Sequence, residues 1–152
     1  MFKLKITALL QEFGTTADVK VVADWQKFYK EHFELDVDFS KVGIPQRPKG
    51  NYRLLFIAKG MTMNTAFAKC KKLFATWQYA DDLDATITQN IRTASENYAV
   101  WVLDEVEPEK AYRGKSTRQA DPDMKLGITV LERIIFELKY FSETGKHLDI
   151  KG

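Results

Sequence analysis

Apolar residues in this chain recur with two periods, and the switches between them predict its elements. Phe2, Leu4 and Ile6 alternate with Lys3, Lys5 and Thr7, the period of two that a strand with one buried face requires. Gly14 closes that element, and Thr15 or Thr16 is placed to cap a helix with Asp18 in its first turn. Val21, Val22, Trp25, Phe28, Tyr29, His32 and Phe33 then follow at helical spacing, an apolar stripe from about residue 16 to 33. Lys20, Lys27, Lys30 and Glu31 fall on the opposite, solvated face. Leu35, Val37 and Phe39 alternate with Asp36 and Asp38 and predict a short strand. Residues 43–51 hold two prolines and two glycines, which forbid regular structure and predict a loop.

Tyr52 to Ala58 is a nearly continuous apolar run suited to a central strand. Gly60 turns the chain and Thr62 caps a second helix, with Ala66, Phe67, Cys70, Leu73, Phe74 and Trp77 on one face. Residues 81–97 fit two readings: Leu83, Ile87 and Ile91 suit a weak helix, while Thr86, Ile87 and Thr88 suit a strand. Tyr98 to Val106 reads as a buried strand stopped by Pro108. A polar loop over 107–127 follows, long enough to suggest a contact surface. Leu131, Ile134, Ile135, Leu138 and Phe141 then define a helix over about 129–144. Thr129 and Glu132 form its capping box, and Gly145 stands at the left-handed C-cap position. The expected fold is α+β: a mixed or antiparallel sheet of about four strands packed against three main helices, with residues 1–152 as a single domain.

Charge changes this picture more than composition does. Phe39 to Ala80 carries eight lysines and arginines and no acid, whereas Asp81 to Lys110 carries eight acids and two bases. A net charge of +2 therefore conceals a basic block beside an acidic one, which either neutralise each other or leave a face for a partner. At 45% hydrophobic and 29% charged, the chain has the composition of a packed domain. Cys70, the single cysteine, excludes an internal disulfide framework and fits a reducing compartment. The apolar run at the N-terminus is too short for a secretion signal and no stretch approaches a membrane span, so a cytoplasmic location is expected.

Three strings carry a resemblance. Tyr98-Ala-Val-Trp-Val-Leu-Asp-Glu-Val-Glu-Pro108, then Gly127-Ile-Thr-Val-Leu-Glu-Arg133 and Glu137-Leu-Lys-Tyr-Phe-Ser-Glu-Thr-Gly-Lys-His-Leu-Asp149, resemble a family of uncharacterised bacterial proteins. Lys59-Gly-Met-Thr-Met-Asn64 and Trp77-Gln-Tyr-Ala-Asp-Asp-Leu-Asp84 extend the likeness over about residues 52–149. The resemblance implies a bacterial protein and no particular activity. Longer members of that family continue past the Lys-His-Leu-Asp segment into a tail rich in aromatics, Asp and Asn, which implies a supporting role for the shared part.

Candidate chemistry falls in several places. Asp104, Glu105, Glu107 and Glu109 follow a strand, where carboxylates can bind Mg²⁺ or serve phosphodiester hydrolysis; the ordinary reading is a solvated strand-end loop. Asp81, Asp82 and Asp84 read first as favourable charge at a helix N-terminus. The acid-x-lysine pairs Asp18/Lys20 and Glu137/Lys139 sit in predicted helices, where residues two apart face different ways. Cys70 and His32 lie on apolar stripes and read as core or boundary residues, and His147 as a partner for a helix C-terminus. No zinc-ligand spacing, nucleophile elbow, phosphate loop or dinucleotide fingerprint is present, so no metal, cofactor or catalytic residue is expected. The basic block offers Lys49, Tyr52, Arg53, Lys69, Lys71 and Lys72 as nucleic-acid contacts, with Tyr52 able to stack on a base. The leading expectation is a non-catalytic interaction or accessory module that contacts a protein partner, or itself, through residues 43–51 and 107–127. Nucleic-acid binding through the 41–72 block comes second, and a metal-dependent nuclease or phosphodiesterase using Asp104, Glu105 and Glu107 third.

Overall fold

A computed structural model describes residues 18–76, 80–106 and 127–148. Their elements are α1 (Val19–Phe33), β1 (Tyr52–Ile57), α2 (Met63–Leu73), the single turn α3 (Leu83–Thr86), β2 (Tyr98–Leu103) and α4 (Val130–Thr144). β1 and β2 are neighbours in one antiparallel sheet. Helix and strand are thus mixed, and no described helix is long and apolar enough to cross a membrane. The chain divides into two compact units. One takes Met1–Gly60 with Ala94–Val102, the other Met61–Thr93 with Leu103–Gly152.

The first unit is built on aromatic packing. α1 starts at Asp18, whose carboxylate accepts the Lys20 N–H at 2.8 Å, and its buried stripe is Val22, Trp25, Phe28 and Tyr29. Trp25 meets Phe28 edge-on at 5.3 Å, and Tyr29 meets Phe39 at 5.6 Å, which in turn lies 4.9 Å from Phe56 of β1. Edge and tilted contacts at these distances suit the ring quadrupoles, and each buried ring contributes about 1.5–3 kcal/mol. Tyr29 joins helix to strand: its hydroxyl donates to the Phe56 carbonyl at 2.7 Å and accepts from the Ala58 N–H at 3.3 Å. Burial raises the Tyr29 pKa far above its ordinary value, so the phenol stays protonated. Beyond β1, Gly60 adopts φ 81 and donates to the Ala94 carbonyl at 2.8 Å, which returns the chain toward β2.

In the second unit α2 packs against α4, and α3 against α2. Thr62 caps α2, with its hydroxyl oxygen accepting the Thr65 N–H, and Met63, Ala66 and Cys70 are its buried face. α4 carries the capping box the sequence predicts. Glu132 accepts the Thr129 N–H at 2.9 Å, and Thr129 accepts the Glu132 N–H at 3.2 Å. Its far end closes on Gly145 at φ 70. Leu131, Ile135, Phe136 and Leu138 form its buried stripe.

Two of the four expected strands appear among the described residues. The one over residues 2–6 lies outside them. Residues 35–39 form no strand, although their alternation is real: Leu35 is exposed, Val37 half-buried and Phe39 buried. The segment finds a side chain where a ladder would need a backbone, for the Phe39 N–H donates to Gln26 Oε1 at 3.0 Å. β2 ends at Leu103, three residues short of the expected limit, and α2 at Leu73. Residues 81–97 resolve to one helical turn followed by irregular chain. The expected caps Thr15 and Thr16 fall outside the described residues, and Asp18 is the cap instead.

Candidate nucleic-acid interface

Residues 45–51 are exposed throughout, and Trp101 of β2 holds their backbone in place. The Trp101 indole N–H donates to the Pro45 carbonyl at 2.8 Å, and the Arg47 guanidinium stands over the indole, 5.3 Å from its centroid. Arg47 also reaches the Tyr52 carbonyl at 3.4 Å. Gly50 makes the turn back into β1 at φ 119, and a Cβ there would meet the Tyr52 ring at 3.4 Å. Lys49 is exposed, while Tyr52, Arg53 and Trp101 are half-buried. One prolyl loop and two strands thus collect Arg47, Lys49, Tyr52, Arg53 and Trp101 within a single unit.

Lys69, Lys71 and Lys72 belong to the other unit, on α2. Lys69 is half-buried and Lys71 and Lys72 are exposed, with Lys71 5.4 Å from the Phe67 ring centroid. Placed in the last turn, Lys71 and Lys72 complement the partial negative charge of that helix end. The six basic and aromatic candidates therefore divide three and three between the units.

The acidic block has other work. Asp84 accepts the Met63 and Asn64 N–H groups, both at 3.0 Å, and so satisfies donors in the first turn of α2. Asp82 caps α3 by accepting the Ala85 N–H at 3.0 Å, and it accepts the Asn64 amide at 2.8 Å. The Asn64 amide and then the Ala85 N–H hold the Asp82 carboxyl below its ordinary value. Lys59 and Glu96, one from each block, form an exposed ion pair at 3.4 Å within the first unit. Lys49, Lys71 and Lys72 have no carboxylate partner among the described residues.

The catalytic candidates are less assembled. Asp104 is half-buried just beyond β2 and Glu105 is exposed, while Glu107 and Glu109 lie outside the described residues. No group of three or more potential metal-binding side chains occurs among the described residues. Of the two acid-x-lysine pairs, Glu137 and Lys139 turn apart as helix geometry requires, Glu137 to His147 and Lys139 to Glu143 at 2.7 Å, whereas Asp18 is the cap of α1 rather than a helical residue and accepts the Lys20 backbone N–H. Cys70 is buried against α4, and burial first, then the Glu137 charge, pushes its thiol up to about 12. His32 is half-buried beside Phe28 at 4.9 Å.

Sequence reasoning missed three participants. Trp101 sits inside an apolar run, so its half-exposed ring was not separable from core; in the strand only Ala99 and Val102 are buried and Trp101 between them is not. Glu137 binds His147 Nδ1 at 2.5 Å and accepts the Leu148 N–H at 2.9 Å, with His147 stacked on Phe141 at 5.0 Å and 19°. Arg92, read only as one base in an acidic block, clamps the fully buried Glu132 at 2.6 and 2.9 Å and donates to the Gly127 carbonyl. No family model, curated protein or solved structure matches the chain.

Proposed function

We propose that this chain is a non-catalytic binding module of a bacterial, cytoplasmic system and that its partner is a nucleic acid, held by the basic 41–72 block. The observation that carries the reading is the exposure of Lys49, Lys71 and Lys72 without carboxylate partners among the described residues, while Asp82 and Asp84 are committed to helix N-termini. Two charged blocks of similar size in one sequence thus leave part of the basic one available. Surface lysines of this kind near a phosphate backbone release its condensed counterions, which makes binding strong at low salt and steeply salt-dependent. The resemblance of residues 52–149 supports the bacterial origin, and a single buried cysteine, which fits a reducing compartment, supports the cytoplasmic location.

The test is a titration of the purified protein into fluorescent single-stranded and duplex oligonucleotides at low and at near-physiological salt. Binding whose affinity falls linearly with the logarithm of salt concentration is expected. An absence of binding to either oligonucleotide at low salt overturns the reading and moves the exposed 45–51 segment to the role of a protein contact.

A further inference from the structure

We infer that the first unit grips single-stranded rather than duplex nucleic acid, with Trp101 and Tyr52 as the base-stacking surface and Arg47 as the phosphate contact that orients the strand. This rests on the nucleic-acid reading above and adds to it the form of the ligand and the residues that select it. Three observations converge. Trp101 is half-exposed on a strand, and its only polar side-chain atom is already used: the indole N–H is bound to the Pro45 carbonyl at 2.8 Å. The ring therefore holds a fixed orientation with no polar atom left to satisfy, and the Arg47 guanidinium covers one of its faces. The Arg47 guanidinium stands over that ring, 5.3 Å from its centroid, so a cation and an aromatic ring, the two groups that single-strand grooves combine, meet at one place. Tyr52, half-buried at the start of β1, is placed by the Gly50 turn, whose backbone would not accept a side chain without strain.

Trp101 and Arg47 are held by the Pro45 and Tyr52 carbonyls, so the strand meets them with little ordering cost. Stacking aromatics read the faces of bases, which a duplex keeps covered and a single strand leaves open. Lys49, exposed on the same loop, supplies further charge along the path. Sequence discrimination is not expected, because every base offers a π face and the Trp101 N–H is occupied.

The full chain is titrated at one low salt concentration with three probes of equal length: a mixed-sequence single strand, its duplex, and a chain of abasic deoxyribose phosphates. The expected order is single strand tightest, with the abasic chain and the duplex each weaker by about tenfold or more. Trp101→Ala lowers single-strand affinity toward the abasic level, the remainder being carried by Tyr52, and leaves abasic binding unchanged, whereas Trp101→Phe retains most of it. Equal affinity for the ordinary and abasic strands overturns the stacking inference while the nucleic-acid reading stands. Equal loss with both probes in Trp101→Ala also overturns it, since Trp101 then only supports the loop. If no probe binds, both fall. Should Trp101→Ala fail to fold, the comparison of ordinary and abasic strands on the native protein decides alone.

Discussion

Cys70 and Tyr29 show how burial settles the chemistry of single side chains. Three lysines flank Cys70 in sequence, and lysine neighbours lower a thiol pKa when they share its environment. Here the helix turns the thiol inward, and loss of water outweighs them, raising the group to about 12. A raised thiol is a neutral thiol. Its contribution to stability is present below the ordinary cysteine value and is lost as pH climbs toward 12. Cys70 is therefore expected to resist a thiol-specific reagent at about pH 8 in the native protein and to react fully in denaturant; fast native reaction counts against the buried placement. Tyr29 gives a second expectation. Tyr29→Phe keeps the ring and removes a hydroxyl that satisfies two groups of fully buried residues, the Phe56 carbonyl and the Ala58 N–H. A loss of about 1–3 kcal/mol in urea unfolding is expected, and an unchanged midpoint with an unchanged slope would show that these groups find other partners.

Among the elements, the helix ends carry the clearest energetics. The capping box of α4 satisfies two backbone donors reciprocally, and Thr129 itself is buried. Thr129→Ala is expected to cost about 1 kcal/mol, measurable as a lowered urea midpoint with the helical circular dichroism signal retained. A larger loss implicates Glu132, whose carboxylate is shared between the cap and Arg92. α2 and α3 are joined by carboxylates, so acid acts on them. The Asp82 carboxyl is held low by Asn64 and Ala85, and a depressed acid stabilises the fold above its ordinary value and loses that contribution as pH falls through the lowered one. Asp38 is held low likewise, by the Ser40 hydroxyl and then its N–H. Stability is thus expected to drop below about pH 4, and Asp82→Asn, which still presents a capping oxygen, is expected to flatten part of that drop. An identical acid limb in the variant would remove Asp82 from the account.

For the whole molecule, the charge distribution decides what the surface can do. The basic block spans both compact units, because the boundary at Gly60 falls inside it. Arg47, Lys49 and Arg53 lie in one unit and Lys69, Lys71 and Lys72 in the other. Reversing Lys71 and Lys72 together to glutamate therefore tests the α2 face separately from the loop. Its expected effect is weaker oligonucleotide binding with a shallower salt slope, by about 0.7 for each single-strand phosphate that α2 no longer neutralises. A slope equal to that of the native protein would confine binding to the first unit.

The sequence by itself determined α1, α2, α4 and the two described strands, though not the turn α3, because their signals are local: the stripe from Val22 to Tyr29, the Thr62 cap, the Thr129–Glu132 box, Gly145, and the apolar run after Tyr52. It also determined that basic and acidic residues are segregated along the chain. Tertiary structure decided what local pattern leaves open. Residues 35–39 alternate like a strand, yet Gln26 supplies the partner for Phe39 and no ladder forms. Trp101 reads as core in a run of apolar neighbours, but its ring is half-exposed and its N–H goes to the Pro45 carbonyl, fifty-six residues earlier in the chain. Segregated charge says nothing about pairing either: Asp82 and Asp84 face backbone amides rather than lysines because helix N-termini lie within reach of them. Hydrogen-bond partners far apart in sequence become neighbours only when the chain has folded, and that is why the elements were legible and the surface they present was not.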